Sequence, residues 1–516
     1  MASATKGGAC NPFVAAHKAA LQAICSNAGA ATKPMPFNAR LIQFVVGLLL
    51  CFIALAMIIP LVIDLIDHND DWRVFLVSSS ITFFCGGLLA AAGWSERTGN
   101  LTVKDGFIIT TSCWVVVTVF CAIPFVGLGV PFTDAYFEAM SGLTTTGSTV
   151  LTKLDLLPRG MLMWRALLNG MGGLGIIAMA VILLPFLRIG GMQLFQMESS
   201  DKSEKITPRM TELVAAMAAI YGALIVLCAI IYLLFGMSLF DAVCHALATL
   251  ATGGFSTHDA SFGFFGSAPI EWAATLFMIM GALPFVWMIK VLRGNTEALR
   301  NDQQVRGFLL FIGVVSLGLA LWLVEFRGEA FWDALRKTAF NVVSIVTTTG
   351  FASEDYTAWG PFTVGVFFIL TFVGGCAGST AGGIKIYRLQ IAGMLTRTYL
   401  LQLIKPHRIV PKAFNGRPVS EQASFSVVAF LTVYLFSIGI FTLLLTGTGL
   451  DLLTALSASA QAISNVGPGL GEIVGPAGNF ATLPATAKWV LSGAMLLGRL
   501  ELFTVLVLFR PEFWVR

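Results

Sequence analysis

Charge is what this sequence most lacks. Asp, Glu, Lys and Arg make up 12% of its 516 residues, about half the roughly 25% of an ordinary soluble domain. Hydrophobic residues make up 56%, and mean hydropathy is +0.82. So few charges exclude a soluble enzyme, a coiled coil and a disordered chain, and much of the exterior must face hydrocarbon. Paired metal ligands are missing too. The nine cysteines form no CxxC, and His17, His68, His245, His258 and His407 share no i, i+3 or i, i+4 spacing, so no zinc site is expected. HExxH and paired aspartates within apolar runs are equally absent, which removes the signatures of an intramembrane protease. The cysteines read instead as small apolar residues.

Long uncharged runs are what is present. A bilayer core needs about 20 apolar helical residues, because the backbone must satisfy its own hydrogen bonds there. Runs of this kind cover 41–63, 74–95, 106–132, 166–187, 213–240, 272–289, 307–324, 356–384, 422–450 and 483–509, the last interrupted by Lys488, Arg499 and Glu501. The first run is too long for a cleavable signal peptide and reads as a retained helix. Ten crossings put both termini on one side, which then holds 23 of the 32 Lys and Arg and is expected to be cytoplasmic. Of the 28 carboxylates, 17 fall on the opposite side, an acidic mouth that would concentrate cations. Residues 1–39 form a tail in which Asn11-Pro12 can open a short helix through Ile24.

Between some crossings lies a segment too long for a turn and too short to span. Four of these are alike: FTDAYFEAMSGLTTTGST (132–149), LFDAVCHALATLATGGFST (239–257), RKTAFNVVSIVTTTGFAS (336–353) and LLTALSASAQAISNVGPG (452–469). Aligned on Gly147, Gly254, Gly350 and Gly467, they share Ala135, Ala242, Thr338 and Ala455 upstream, and then Ala139, Ala246, Val342 and Ser459. The glycines stand 107, 96 and 117 residues apart, one repeat of crossing, short helix, glycine-bearing turn and crossing. The register is uneven. The Asp-Ala that opens the first two short helices recurs about one turn early, at Asp333-Ala334, in the third, and the fourth has Thr454-Ala455.

A short helix that turns back at mid-membrane aims the negative end of its dipole inward. Irregular backbone at that depth must be buried in protein or line a water-filled cavity. Four such turns place rings of carbonyls on one axis, and carbonyl rings can replace the hydration shell of a monovalent cation. Glycine is expected where the strand needs a backbone forbidden to other residues. The candidate cation filter is therefore Thr145, Thr146 and Gly147; Thr252, Gly253 and Gly254; Thr348, Thr349 and Gly350; and Asn465, Val466 and Gly467. The other reading is re-entrant segments that merely pack. Two crossings per repeat keep all copies in one orientation, unlike the two inverted repeats expected of an organic-solute carrier.

Two further features lie within apolar runs. Residues 374–383 (GGCAGSTAGG) hold five glycines, each costing about 1 kcal/mol relative to alanine in a helix, so the helix should break there. A loop at that depth reads as a mobile gate built from Gly374, Gly375, Gly378, Ser379, Thr380, Gly382 and Gly383, or as small residues that allow close helix packing. Arg499 should face a cavity or a partner, because a bare arginine at the bilayer centre costs at least about 2.5 kcal/mol. Near the pore axis it would oppose cation passage; an ion pair with Glu501 or a bond to a carbonyl is the alternative. Arg165 is nearer the end of its crossing and is expected to snorkel. Gly170, Gly172 and Gly175 satisfy GxGxxG, yet no strand precedes them, so helix packing is expected rather than a dinucleotide. Gly383-Ile384-Lys385 likewise lacks the ending of a phosphate-binding loop.

The TTTGS, TGGFSTHDA, TTTGF and NVGPGLG segments, with FVGGCAGSTAGGIK and MLLGRLELFTVLVLF, resemble the Trk/Ktr/HKT superfamily of cation transporters from about residue 40 to the C-terminus. Within it the likeness is strongest to the bacterial TrkH potassium-uptake branch. The resemblance implies an all-α polytopic membrane protein, with a leading helix pair and four helix–pore helix–helix repeats forming a pseudo-fourfold pore. The parts would be a tail (1–39), the leading pair (40–100) and repeats at 101–195, 196–300, 301–405 and 406–516. It also implies transport rather than enzymatic chemistry, in the bacterial inner membrane, with K+ as the transported ion and no covalent cofactor. As partners it implies a homodimer and a cytoplasmic nucleotide-binding subunit of the TrkA kind, with nucleotide acting only through that subunit and no role for nucleic acid. The basic stretch 385–417 could dock such a partner, though positive-inside topology also accounts for its charge. In relatives, serine at the first filter glycine tends to accompany sodium. Glycine at all four positions favours potassium, with a Na+-permeable or Na+-coupled transporter as the alternative.

Overall fold

The computed structural model describes residues 38–94, 102–182, 206–295, 301–408 and 410–515. Residues 1–37 of the tail, where a short helix was expected, lie outside the described residues. A leading pair comes first: α1 (Ala39–Ala56) runs on as α2 (Ile58–Ile66), and α3 (Trp72–Gly93) packs back along it. Four units of one design follow. The first is α4 (Val103–Gly127), α5 (Phe132–Leu143) and α6 (Arg159–Ile182), and the second is α7 (Ile206–Leu234), α8 (Leu239–Leu250), α9 (Ala268–Ala282) and α10 (Phe285–Leu292). The third is α11 (Gln303–Arg327), α12 (Phe331–Val346), α13 (Pro361–Leu370) and α14 (Ile386–Ile404). A two-residue hairpin, β1 (Ala413–Phe414) with β2 (Arg417–Pro418), leads to the fourth: α15 (Glu421–Thr446), α16 (Leu452–Ser464), α17 (Ala485–Arg499) and α18 (Phe503–Leu506).

Local chemistry sets the element ends. Thr102 and Asp105 form a reciprocal capping box at α4, and Ser238 and Asp451 accept from backbone N–H groups at the starts of α8 and α16. A left-handed glycine lies between each long helix and its short helix: Gly129, Gly236, Gly328 and Gly449, at φ of 88°, 103°, 66° and 95°. This glycine stands 18 residues before Gly147, Gly254 and Gly467, but 22 before Gly350. The difference is one helical turn. It matches the third short helix, α12, which has 16 residues where α5 and α8 have 12, and it explains why Asp333-Ala334 comes early.

Among the described residues, six helical spans are long and apolar enough to cross a membrane. Two more spans are bent pairs, α9 with α10 by 98° and α17 with the segment Phe503–Phe509 by 106°. Crossings were expected at both places, with no break marked in either. The fourth expected crossing is the 24-residue α6. The eighth is the ten-residue α13, whose helix ends at Leu370, ahead of the glycine run. Polarity is inverted relative to a soluble protein. Leu310, Leu443 and Phe425 point outward, while Thr146, Thr252, Thr349, Asn465 and Gln461 are fully buried. That distribution suits an exterior in hydrocarbon and a polar interior.

Candidate functional site

All four short helices end the same way. Thr145, Thr252, Thr348 and Asn465 follow them at φ between 51° and 58°, in the left-handed region. The next N–H reaches five residues back: Thr146 to Ser141, Gly253 to Ala248 and Thr349 to Ser344 at 2.8 Å, and Val466 to Gln461 at 3.1 Å. This is the Schellman ending, which usually places glycine where three of these turns place a β-branched threonine. Such outliers concentrate at functional sites.

Two residues further on, Gly147, Gly254, Gly350 and Gly467 have φ of 88°, 72°, 85° and 103°. A Cβ at Gly147 would strike the Gly253 carbonyl, one at Gly254 the Thr349 carbonyl, one at Gly350 the Val466 carbonyl, and one at Gly467 the Thr146 carbonyl, each within 2.8 Å. The contacts run from first turn to second, third, fourth and back to first, so the four turns close a ring. All twelve expected filter residues lie in it. The carbonyls of Thr145, Thr146, Thr252, Gly253, Thr348, Thr349, Asn465 and Val466 accept no hydrogen bond from any described residue, although these residues are buried. Buried carbonyls without donors call for water or a cation.

The glycine-rich loop lies against this ring. Between α13 and α14 the chain is irregular, tied at its base by Gly374 N–H to Ile384 O (2.7 Å) and Ile384 N–H to Phe372 O (3.1 Å). Its tip is held by the turns. The Thr380 hydroxyl donates to Leu250 O at 3.0 Å and Gly281 O at 2.9 Å, and the Thr348 hydroxyl accepts from Gly382 N–H at 2.6 Å. A Cβ at Gly382 would collide with the Ser464 carbonyl. Second, third and fourth turns are thus all within reach of one loop. Arg499 completes the assembly: Nη1 donates to Thr380 O at 2.9 Å and Nη2 to Gly172 O at 3.5 Å, while Nε has no partner among the described residues. Gly172 itself abuts the Leu143 carbonyl of the first short helix. Arg499 bonds carbonyls, and Glu501 pairs instead with Arg388 at 2.6 Å.

A family model described as TrkH, cation transport protein, matches residues 74–515. The chain belongs to the TrkH family of cation transport proteins. It is 45% identical to the Trk system potassium uptake protein TrkI of Halomonas elongata, over 91% of this chain and 96% of that protein. It is 36% identical to the Trk system potassium uptake protein TrkH of Escherichia coli K12, over 92% and 99%. The crystal structure of the potassium transporter TrkH from Vibrio parahaemolyticus superposes with a TM-score of 0.85 at 34% identity, covering 92% of this chain and 99% of that one. The fold is that of a TrkH-family membrane transporter.

Several residues of this TrkH-family chain stand where sequence reasoning did not put them. Arg165 does not snorkel. It is 1% exposed and pairs at 2.8 Å with the fully buried Glu138 of α5, because that carboxylate offers a partner inside the fold. Glu138, in the middle of a short apolar helix, was the available signal. Lys385 and Arg388 are not free for a docking surface: Lys385 donates to Ala381 O, and Arg388 lies 3.8 Å over the Phe430 ring beside Glu501. The GxGxxG glycines pack as expected, Gly170 on Leu247 and Gly172 on the end of α5. The fourth turn carries side-chain ties that the motif hides. Asn465 Nδ2 donates to Thr146 Oγ1 and Met495 O, both at 2.9 Å, and Ser148 Oγ donates to Gly467 O at 3.0 Å. Outside the spans, His258 lies between Asp155 (2.5 Å) and Asp241 (3.5 Å) and stacks on Phe264. Burial lowers its affinity for a proton, but the two carboxylates outweigh burial and raise it above the ordinary value.

Proposed function

We propose that this chain takes up K+ by channel-like permeation through the ring formed by Thr145–Gly147, Thr252–Gly254, Thr348–Gly350 and Asn465–Gly467. The observation that carries the reading is the ring of buried carbonyls that accept from no described residue, at the ends of four inward-directed short helices. Carbonyl oxygens substitute for the hydration shell of a monovalent cation, and the helix ends add negative potential. Glycine at all four ring positions and relatives named as potassium uptake proteins support K+ as the substrate. The loop containing Gly374, Gly375, Gly378, Ser379, Thr380, Gly382 and Gly383 serves as the gate, held shut by Arg499. Its bonds to the turns and to the guanidinium support that role.

The four units are the repeats of one pore, and both termini are cytoplasmic, supported by the bias of Lys and Arg. The membrane is the bacterial inner membrane. A homodimer and a cytoplasmic nucleotide-binding subunit of the TrkA kind are the partners, inferred from family membership. The test is growth at limiting potassium of a bacterial strain lacking its own uptake systems, with this chain and the partner subunit supplied. Rescue is expected. Failure despite confirmed membrane insertion, or rescue of sodium uptake alone, contradicts the potassium reading.

A further inference from the structure

Counting nine residues back from each ring glycine gives Glu138, His245, Asn341 and Ala458. The first three each reach over to the strand that follows their own turn. Glu138 accepts from Val150 N–H at 2.9 Å and from Thr149 Oγ1 at 2.9 and 3.1 Å; His245 Nε2 is 3.0 Å from Ser256 Oγ; and Asn341 Nδ2 donates to Ser353 Oγ at 2.9 Å. Ala458 has no polar group to offer. Within this series the first position alone is charged, and its charge is matched by Arg165.

Arg165 makes that contact a link between turns. Its Nε donates to Glu138 Oε1 at 2.8 Å and its Nη2 to Thr149 Oγ1 at 3.2 Å, both on the first turn's side. Its Nη1 donates to Ser256 O at 2.7 Å, on the strand after the second turn, and the guanidinium lies 4.2 Å over the Phe255 ring. One planar, rigid fork therefore holds the outgoing strands of two neighbouring turns at a fixed separation. Burying an ion pair is costly, and a hydrophobic replacement is often as stable, so its worth here is geometric rather than energetic.

We propose that the Glu138–Arg165 pair is the positioning element that holds the first two turns at the spacing a K+ ion requires, and so sets preference for K+ over Na+. The proposal rests on the filter reading given above. Neither side chain touches the ion; both act through the strands at Thr149–Val150 and Ser256.

The test reconstitutes the full chain into lipid vesicles and compares Rb+ with Na+ uptake for the native protein, for Glu138→Gln/Arg165→Gln and for Thr149→Val. The double substitution avoids stranding one buried charge. Losing charge-assisted bonds at the turn should lower the preference for Rb+ over Na+ by about tenfold. Thr149→Val removes the shared hydroxyl while keeping the ion pair, and should shift the preference in the same direction by a smaller factor. A purely structural brace would lower both fluxes together and leave their ratio alone. An unchanged ratio in a folded variant, with or without lower total flux, overturns the proposal. Should the double variant fail to fold, an unchanged ratio in Thr149→Val overturns it alone. A native protein without selective uptake contradicts the filter reading instead.

Discussion

Thr145, Thr252 and Thr348 hold backbone angles that cost an L-residue about 1–2 kcal/mol, and the cost recurs at one structural position in three turns. Repetition of a strained conformation is a stronger pointer to function than any single outlier. The ring glycines were legible at this scale, since their spacing stands in the sequence. Partners contributed by distant elements were not. Nothing local shows that Glu138 on α5 meets Arg165 on α6, so the arginine reads as a residue near a helix end. His258 was likewise readable only as an isolated histidine. In the fold it faces Asp155 and Asp241, with Asp259 and the buried His245 nearby, and its protonated form is favoured. Because its affinity for a proton is raised on folding, this contact stabilises the protein fully below the ordinary value of about 6.5 and is lost as pH rises through the raised one. Thermal unfolding in detergent should therefore fall by about 2 °C between about pH 6 and about pH 9, and His258→Gln should flatten that dependence. An identical slope in the variant would show that the contact contributes nothing.

At the scale of elements, hydropathy located the long helices but missed the shapes of the second helices of the later units. Bends of 98° and 106° follow α9 and α17, and α13 stops after ten residues. Uncharged length is indifferent to such breaks, because bent and straight spans bury similar side chains. The glycine run announced its loop correctly, whereas the earlier helix end at Leu370 carries no comparable signal. The extra turn of α12 was present in the sequence as the early Asp333-Ala334, and only the second glycine series, Gly129 to Gly449, makes its meaning plain. The loop and the bend after α17 meet at Arg499. Replacing Arg499 by alanine removes the bond to Thr380 O and the positive charge beside the ring, so flux through the chain reconstituted alone should rise, by about tenfold for one charge-assisted bond. Tracer uptake into vesicles reads this directly, and unchanged flux removes Arg499 from the gate.

For the whole molecule, scarcity of charge proved informative through placement. Basic residues gather on the side proposed as cytoplasmic, carboxylates gather at the other, and the few buried charges tie turns and loop together. Family membership covers nearly the full described chain, so the parts are arranged as in a transporter. In the reading proposed above, four turns from four units form one site for K+. Its most direct test is the structure of the full chain in rubidium salt, with anomalous scattering recorded at the rubidium edge. A rubidium peak is expected inside the ring, among the carbonyls of Thr146, Gly253, Thr349 and Val466. A ring without rubidium, with the ion bound elsewhere in the chain, would contradict it.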